Sequence, residues 1–289
     1  MIGLFWGLNW PAVKFILGEI PPWSLRAIGM FCGAILLAML AGCFKQSMRP
    51  TKNERLPLVL AGLLSVLGFN VFTAFGQLYT QTSTAAIIAF TMPMWAAVFS
   101  ILFLREHMTP QRFASLVLGM LGLATLISED VSEFLNRPIG PLFMLGSAIS
   151  WAAGTVVLKS RIWSIKPIAQ AAWMLGVSAP PAIIAGLLFE YDGRLAIPSI
   201  SVIATMAYHI LFPMVLCYAA WSLLVARLPA SVAAMGTLLV PIVGVISAAA
   251  ILGDTLSWQK LCALTLVLLS IGLTFAQKNA RRENKGETT

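Results

Sequence analysis

His209 sits about ten residues inside the long apolar run MAYHILFPMVLCYAAW, and an ionisable side chain at that depth marks a solute or proton path in a membrane-spanning helix. Near neutral pH an imidazole can change charge, so it suits a partner for a substrate or a proton. Tyr208, Tyr218 and Trp221 share the same run. The plainer reading is a neutral histidine hydrogen-bonded between helices. Trp6 with Asn9, and Trp151 with Thr155, are three or four residues apart and so share a helix face. Asn70, Gln77 and Tyr79 place further polar groups on a third run. Together these side chains have the chemistry of an amphipathic pocket: rings to stack an apolar body, amides and hydroxyls to hold its polar groups. Taken singly, each also fits an interfacial aromatic belt or a helix-to-helix hydrogen bond.

A second set of residues bears on helix shape. Pro93 and Pro241 fall in the middle of apolar runs, where each removes a backbone donor and frees the carbonyl four residues back, at Ala89 and Thr237. Bends at both places are expected, lining a cavity or serving packing alone. Glu106 precedes Thr109 and Asp254 precedes Ser257. Hydroxyls and carboxylates of this kind start helices, so a structural role is expected for all four. Lys14 and Arg26 lie near the ends of their runs, close in sequence to Glu19, which suggests a salt bridge or snorkelling; guidance of an anionic group is the alternative.

Enzyme chemistry finds no support. With His107 and His209 the only histidines there is no HExxH, no GxSxG and no GxxxxGK[ST]. The cysteines, Cys32, Cys43, Cys217 and Cys262, are too scattered to hold zinc or do redox chemistry. Neither catalytic residues, a metal nor a cofactor is expected.

The elements that must position these groups follow from composition. Hydrophobic residues make up 59% and charged residues 10% of 289, with a mean hydropathy of +0.87, whereas a soluble domain has roughly 25% charged residues. Spans of roughly 20 apolar residues are the natural unit. They are expected at 1–18, 23–43, 57–80, 82–104, 111–128, 138–159, 168–189, 199–226, 230–252 and 258–276, with lipid as their surroundings. The first run has no basic leader or AxA-like site, so it reads as a span and not a cleaved signal. The net charge of +8 has no nucleic-acid face behind it. Fourteen of the 19 Lys and Arg residues fall in or within two residues of the breaks after runs 2, 4, 6 and 8 and in the tail. By the positive-inside rule both termini are expected in the cytoplasm of a cell that places the protein in its inner or plasma membrane.

Shifted by 148, the chain matches Ser83, Ala85, Ala86, Pro93 and Gln111 to Ser231, Ala233, Ala234, Pro241 and Gln259. Glu106 then falls on Asp254 and Thr109 on Ser257. Shifted by 145, Trp6 falls on Trp151 and Lys14 on Lys159. Because five spans is an odd number, a second copy enters from the opposite side. The expected fold is therefore an all-α integral membrane protein of ten transmembrane helices in two inverted five-helix repeats, an architecture of secondary transporters.

The repeated segments, STAAIIAFTMPMWAAVFSILFLREHMTPQ and ASVAAMGTLLVPIVGVISAAAILGDTLSWQ, each resemble the core of an EamA domain. FWGLNWPAVK with IPPWSLR is similar to that family's opening helices, and Arg26 falls on its usual arginine. Asp254 departs from its more usual glutamate, and Ala171 stands where the second half would repeat Arg26. The resemblance implies EamA-like repeats at 1–128 and 138–276, a polar cytoplasmic tail at 277–289, and a ten-helix member of the drug/metabolite transporter superfamily. It further implies transport, most simply export, of a small organic solute such as an amino-acid-like metabolite. A channel or scaffold is the alternative, and a membrane-embedded enzyme fits least. Expected partners are the solute and membrane lipid, with a homodimer left open.

Overall fold

The computed structural model describes the backbone of residues 1–105, 108–129, 135, 137–193, 197–227 and 230–286, with side chains described in these except at 112, 224–238 and 274–286. The secondary structure of the described residues is helical, without strands. We label the helices α1 (Ile2–Ile16), α2 (Pro22–Cys43), α3 (Lys52–Tyr79), α4 (Thr82–Ala89 and Met92–Leu104), α5 (Pro110–Ile127), α6 (Ile139–Lys159), α7 (Pro167–Phe189), α8 (Ile200–His209, Ile210–Cys217 and Tyr218–Arg227), α9 (Ala230–Leu252) and α10 (Trp258–Gly286). Among the described residues, α2, α3, α4, α6, α7 and α8 are long and apolar enough to cross a membrane, and shorter apolar stretches lie in α5, α9 and α10. Large apolar side chains such as Phe31, Phe103, Phe113 and Leu188 are exposed on the outside. Hydrocarbon accepts such a surface because the helix has already paired its backbone polar groups.

Helix α3 starts at Lys52, five residues before the expected span. A capping box drives the early start: Thr51 donates its backbone N–H and hydroxyl to Glu54 (2.9 and 2.8 Å). Pro57 would leave the Asn53 carbonyl bare, but Arg161 of the loop after α6 donates to it at 2.6 Å. The last helix differs too, because its backbone stays helical through Gly286, beyond the span end expected at 276.

Two helices carry π-helical stretches, Leu63–Gly68 in α3 and Ile210–Cys217 in α8. A π stretch disturbs the regular backbone pairing and often marks a functional position. Side chains take up its carbonyls. Around the first stretch, Ser178 donates to Gly62 O (3.0 Å), Ser150 to Leu64 O (2.7 Å) and the Asn70 amide to Val66 O (2.8 Å). In the second, the Trp6 indole donates to Pro213 O at 3.1 Å. Helix α6 crosses the first stretch so closely that a Cβ at Gly68 would collide with the Ser150 hydroxyl, and one at Gly154 with that of Ser65. Glycine is required at both.

The helix ends are tied by reciprocal caps. Glu190, just past α7, accepts the N–H groups of Trp23 and Ser24 at the start of α2 (2.7 Å each) and the Ser24 hydroxyl (2.8 Å). Gln46, just past α2, accepts those of Ile168 and Ala169 at the start of α7 (3.1 and 3.2 Å). The two helices must therefore run antiparallel. Likewise Glu19, after α1, binds Ser199 at the start of α8 (2.6 Å to both N–H and hydroxyl), while Glu54, at the start of α3, binds the Ser164 hydroxyl after α6 at 2.8 Å. Positions 19 and 164, 54 and 199, 23 and 168, and 24 and 169 are each 145 apart, and 46 and 190 are 144 apart. In each pair of contacts the partners are exchanged, the pattern of a self-complementary two-fold contact.

Candidate functional site

Four helices bring polar side chains together inside the bundle. From α8, His209 is 0% exposed, and its Nδ1 lies 2.7 Å from Asn9 Oδ1 on α1. An amide oxygen accepts, so Nδ1 donates; Nε2 is buried and has no partner. That nitrogen faces Gly29 of α2, whose Cβ, if it had one, would stand 3.2 Å away. Gly29 is one turn beyond Arg26, on the same face.

Arg26 is 1% exposed, and its Nη1 donates to Asn70 Oδ1 of α3 at 3.2 Å. Its Nε has no partner. Tyr218 of α8 lies within hydrogen-bond reach of Asn70. Among the described residues no carboxylate reaches ion-pair distance of Arg26, the bridge of Lys260 to Glu129 (3.8 Å) being at the bundle's rim. This corrects the expected pairing of Arg26 or Lys14 with Glu19. Glu19 binds Ser199, and Lys14 donates to the Gln77 backbone oxygen. The sequence signal was present: an arginine within an apolar run is costly unless partnered, and Asn70 is the partner that only folding brings near.

Aromatic rings flank the cluster. Trp6 meets Tyr218 edge-on at 5.8 Å and Trp221 at 6.1 Å, while Trp151 packs edge-on against Phe69 at 4.9 Å, next to Asn70 in the chain. Tyr208 stacks on Phe212 (5.5 Å) and donates its hydroxyl to Phe5 O at 2.9 Å. The structure thus pairs Arg26 with Asn70, His209 with Asn9 and Trp6 with Tyr218 inside the bundle. Thr155, Gln77 and Tyr79 stand apart. Thr155 donates back to Trp151 O in its own helix (2.9 Å). Gln77 is 0% exposed and accepts from Thr82 at 3.4 Å near the end of α3. Tyr79 does not join the pocket at all: at the last residue of α3 it is 55% exposed. The cluster is closed in this conformation. Two apolar grooves of about 550 and 700 Å³ lie along α2, α3 and α7, and none of the candidate residues lines them.

The helix-shaping residues also have definite places. Helix α4 is interrupted at Phe90 and Thr91, with Pro93 in the first turn of its second piece, where a proline lacks no bond. Pro241 lies inside the unbroken α9. Ser257 accepts from Lys260 N at 3.2 Å and so starts α10. Asp254, by contrast, does not cap α10; it reaches across to accept the N–H of Ser83 at the start of α4 (2.7 Å). It thus serves the start of another helix and not that of its own. Thr109 accepts with its backbone oxygen the first turn of α5. Glu106 lies outside the described residues.

A cluster of a cation, an imidazole and amides inside an apolar bundle has the chemistry of solute binding; comparisons with known proteins bear on the family. The profile of the EamA-like transporter family matches residues 1–128 and again 138–276. The "Uncharacterized transporter YvbV" of Bacillus subtilis is 28% identical over 96% of this chain and 90% of its own length. The "Probable amino-acid metabolite efflux pump" of Salmonella typhimurium is 26% identical over 98% and 95%. A solved crystal structure with 19% identity has the same fold, at a TM-score of 0.69 over 97% of this chain and 96% of that one. The chain therefore belongs to the EamA-like transporter family, as a multi-pass membrane transporter and not an enzyme.

Proposed function

We propose that the protein is a secondary carrier that exports a small, amino-acid-like solute by alternating access. Its helices form ten spans in two inverted five-helix repeats, 1–128 and 138–276, with both termini and the tail from 277 in the cytoplasm of a cell whose inner membrane holds it. The observation that carries this reading is the exchange of contacts between positions 145 apart, Glu19 with Ser199 against Glu54 with Ser164. A two-fold relation between antiparallel halves places equivalent helix ends on opposite faces, which is what a carrier needs to expose one site to each side in turn. The π stretches of α3 and α8 flank that site and supply places where a helix can bend, as do Pro93 and Pro241. Asn9, Asn70, His209 and Tyr218 hold the solute's polar groups, and Trp6 and Trp151 its apolar body. Support for the substrate and direction comes from the Salmonella relative's name as an amino-acid metabolite efflux pump, and for the membrane from the "Uncharacterized inner membrane transporter YedA" of Escherichia coli, 23% identical over 93% of this chain.

Counterflow in liposomes tests the mechanism. Radiolabelled amino acids should enter vesicles saturably, and faster when the same unlabelled solute is loaded inside. Flux that rises linearly with concentration would make the protein a channel, and none across a broad set of solutes would make it a scaffold.

A further inference from the structure

We propose that Arg26 is the anchor for a carboxylate on the carried solute, which narrows the substrate to small organic acids and amino acids. The inference rests on the carrier reading above and deepens it. A guanidinium is permanently charged and presents a fork of donors that matches a carboxylate in two parallel hydrogen bonds. Here that fork is 1% exposed, yet its one described hydrogen bond is to the neutral Asn70, and Nε has none. A charge in such a place is ordinarily paired or functional, and the described carboxylates are engaged elsewhere. Glu19, Glu54, Glu190 and Asp254 each cap the start of a helix, and Glu129 lies near Lys260. The missing counter-charge is thus one that comes and goes.

The neighbours complete a site for that ligand. Tyr218, against the Trp6 ring and within hydrogen-bond reach of the Asn70 that binds Arg26, has a hydroxyl that can donate to a carboxylate oxygen. His209, with Nδ1 donating to Asn9, keeps a bare acceptor at Nε2 on the side of Gly29, and an ammonium or amine N–H of the same solute can donate to it. Trp6, against Tyr218 and Trp221, offers a ring face to its side chain. The solute enters when the helices part, and the carboxylate then supplies the pairing that the closed cluster lacks.

The test uses the purified full chain and matched acid and amide pairs: L-phenylalanine with L-phenylalaninamide, L-leucine with L-leucinamide, and phenylacetate with phenylacetamide. Binding is read as ligand-dependent thermal stabilisation and tryptophan fluorescence change, and flux is read separately in liposomes. At least one acid should bind about tenfold or more tightly than its amide. Arg26→Gln should abolish the preference, and Arg26→Lys should retain part of it. The proposal is overturned if amides bind as well as acids, if no acid in the set binds, or if chloride or inorganic phosphate stabilises the protein as well as the acids do. The wild-type acid-to-amide ratio decides the matter even if a variant fails to fold. Saturable flux without acid preference would leave the carrier and remove the anchor; acid-selective binding without flux would do the reverse.

Discussion

The rim of the bundle and its middle hold their charged and titratable groups differently. At the rim, four side chains meet the N–H groups of another helix: Glu190 caps α2, Gln46 caps α7, Glu19 caps α8 and Asp254 caps α4. In the middle, Arg26 Nε and His209 Nε2 are buried without partners. A buried polar group left unpaired costs about 1–3 kcal/mol, more if charged. Where a protein tolerates that cost beside well-satisfied surroundings, function is the usual reason. On the proposed reading, the contrast separates what holds the helices together from what meets the solute.

The comparison breaks most sharply at His209. His209→Ala should lower solute counterflow by about tenfold or more, the effect of losing about 1.4 kcal/mol of solute binding, while the protein still purifies as a folded species. Undiminished flux in this variant would return His209 to a packing role and make the middle no different from the rim.

Changes at the rim should do the opposite, reducing stability with little effect on flux. Glu190→Ala removes a charged acceptor of three hydrogen bonds and should cost about 1–2 kcal/mol; Gln46→Ala removes a neutral acceptor of two longer ones and should cost less, about 1 kcal/mol. Thermal unfolding in detergent measures both. Equal losses would show that charge adds nothing to these caps, and a flux loss larger than the stability loss would make the α2–α7 rim part of the transport machinery.

The smallest effect is expected at Glu19, which is solvent-exposed. Hydrogen bonds from the Ser199 hydroxyl and backbone N–H hold its carboxylate pKa below the ordinary 4.5. A depressed folded-state pKa stabilises the folded form above the unfolded value and loses that contribution as pH falls through the folded one. Melting temperature should therefore decline slightly more below about pH 4.5 in the wild type than in Glu19→Gln. Identical acid profiles would show that this cap contributes nothing.

Much of this molecule is legible in its amino-acid sequence. The all-helical membrane class follows from apolar runs that only lipid can surround, a property each run has irrespective of its neighbours. The EamA resemblance follows from local patterns around Pro93 and Pro241, and the family match bears it out. Local pattern also misleads. The span expected at 57–80 begins at Pro57, whereas α3 begins at Lys52, and the guanidinium that occupies the carbonyl freed by Pro57 belongs to Arg161, 108 positions from Asn53. Asp254 stands just before α10 in sequence, whereas it accepts from the N–H of Ser83, 171 positions away.

The sequence by itself determined which segments prefer lipid and which residue types lie deep in them, because burial in hydrocarbon is decided by each side chain's own transfer free energy. Which polar groups meet was decided by tertiary structure alone. Asn9 with His209 spans 200 positions and Arg26 with Asn70 spans 44, and a hydrogen bond depends on ångström distances and angles that helix rotation and crossing set. Tyr79 and Gln77, two residues apart on one helix, show the consequence: similar in sequence context, one faces out at the helix end and the other is fully enclosed.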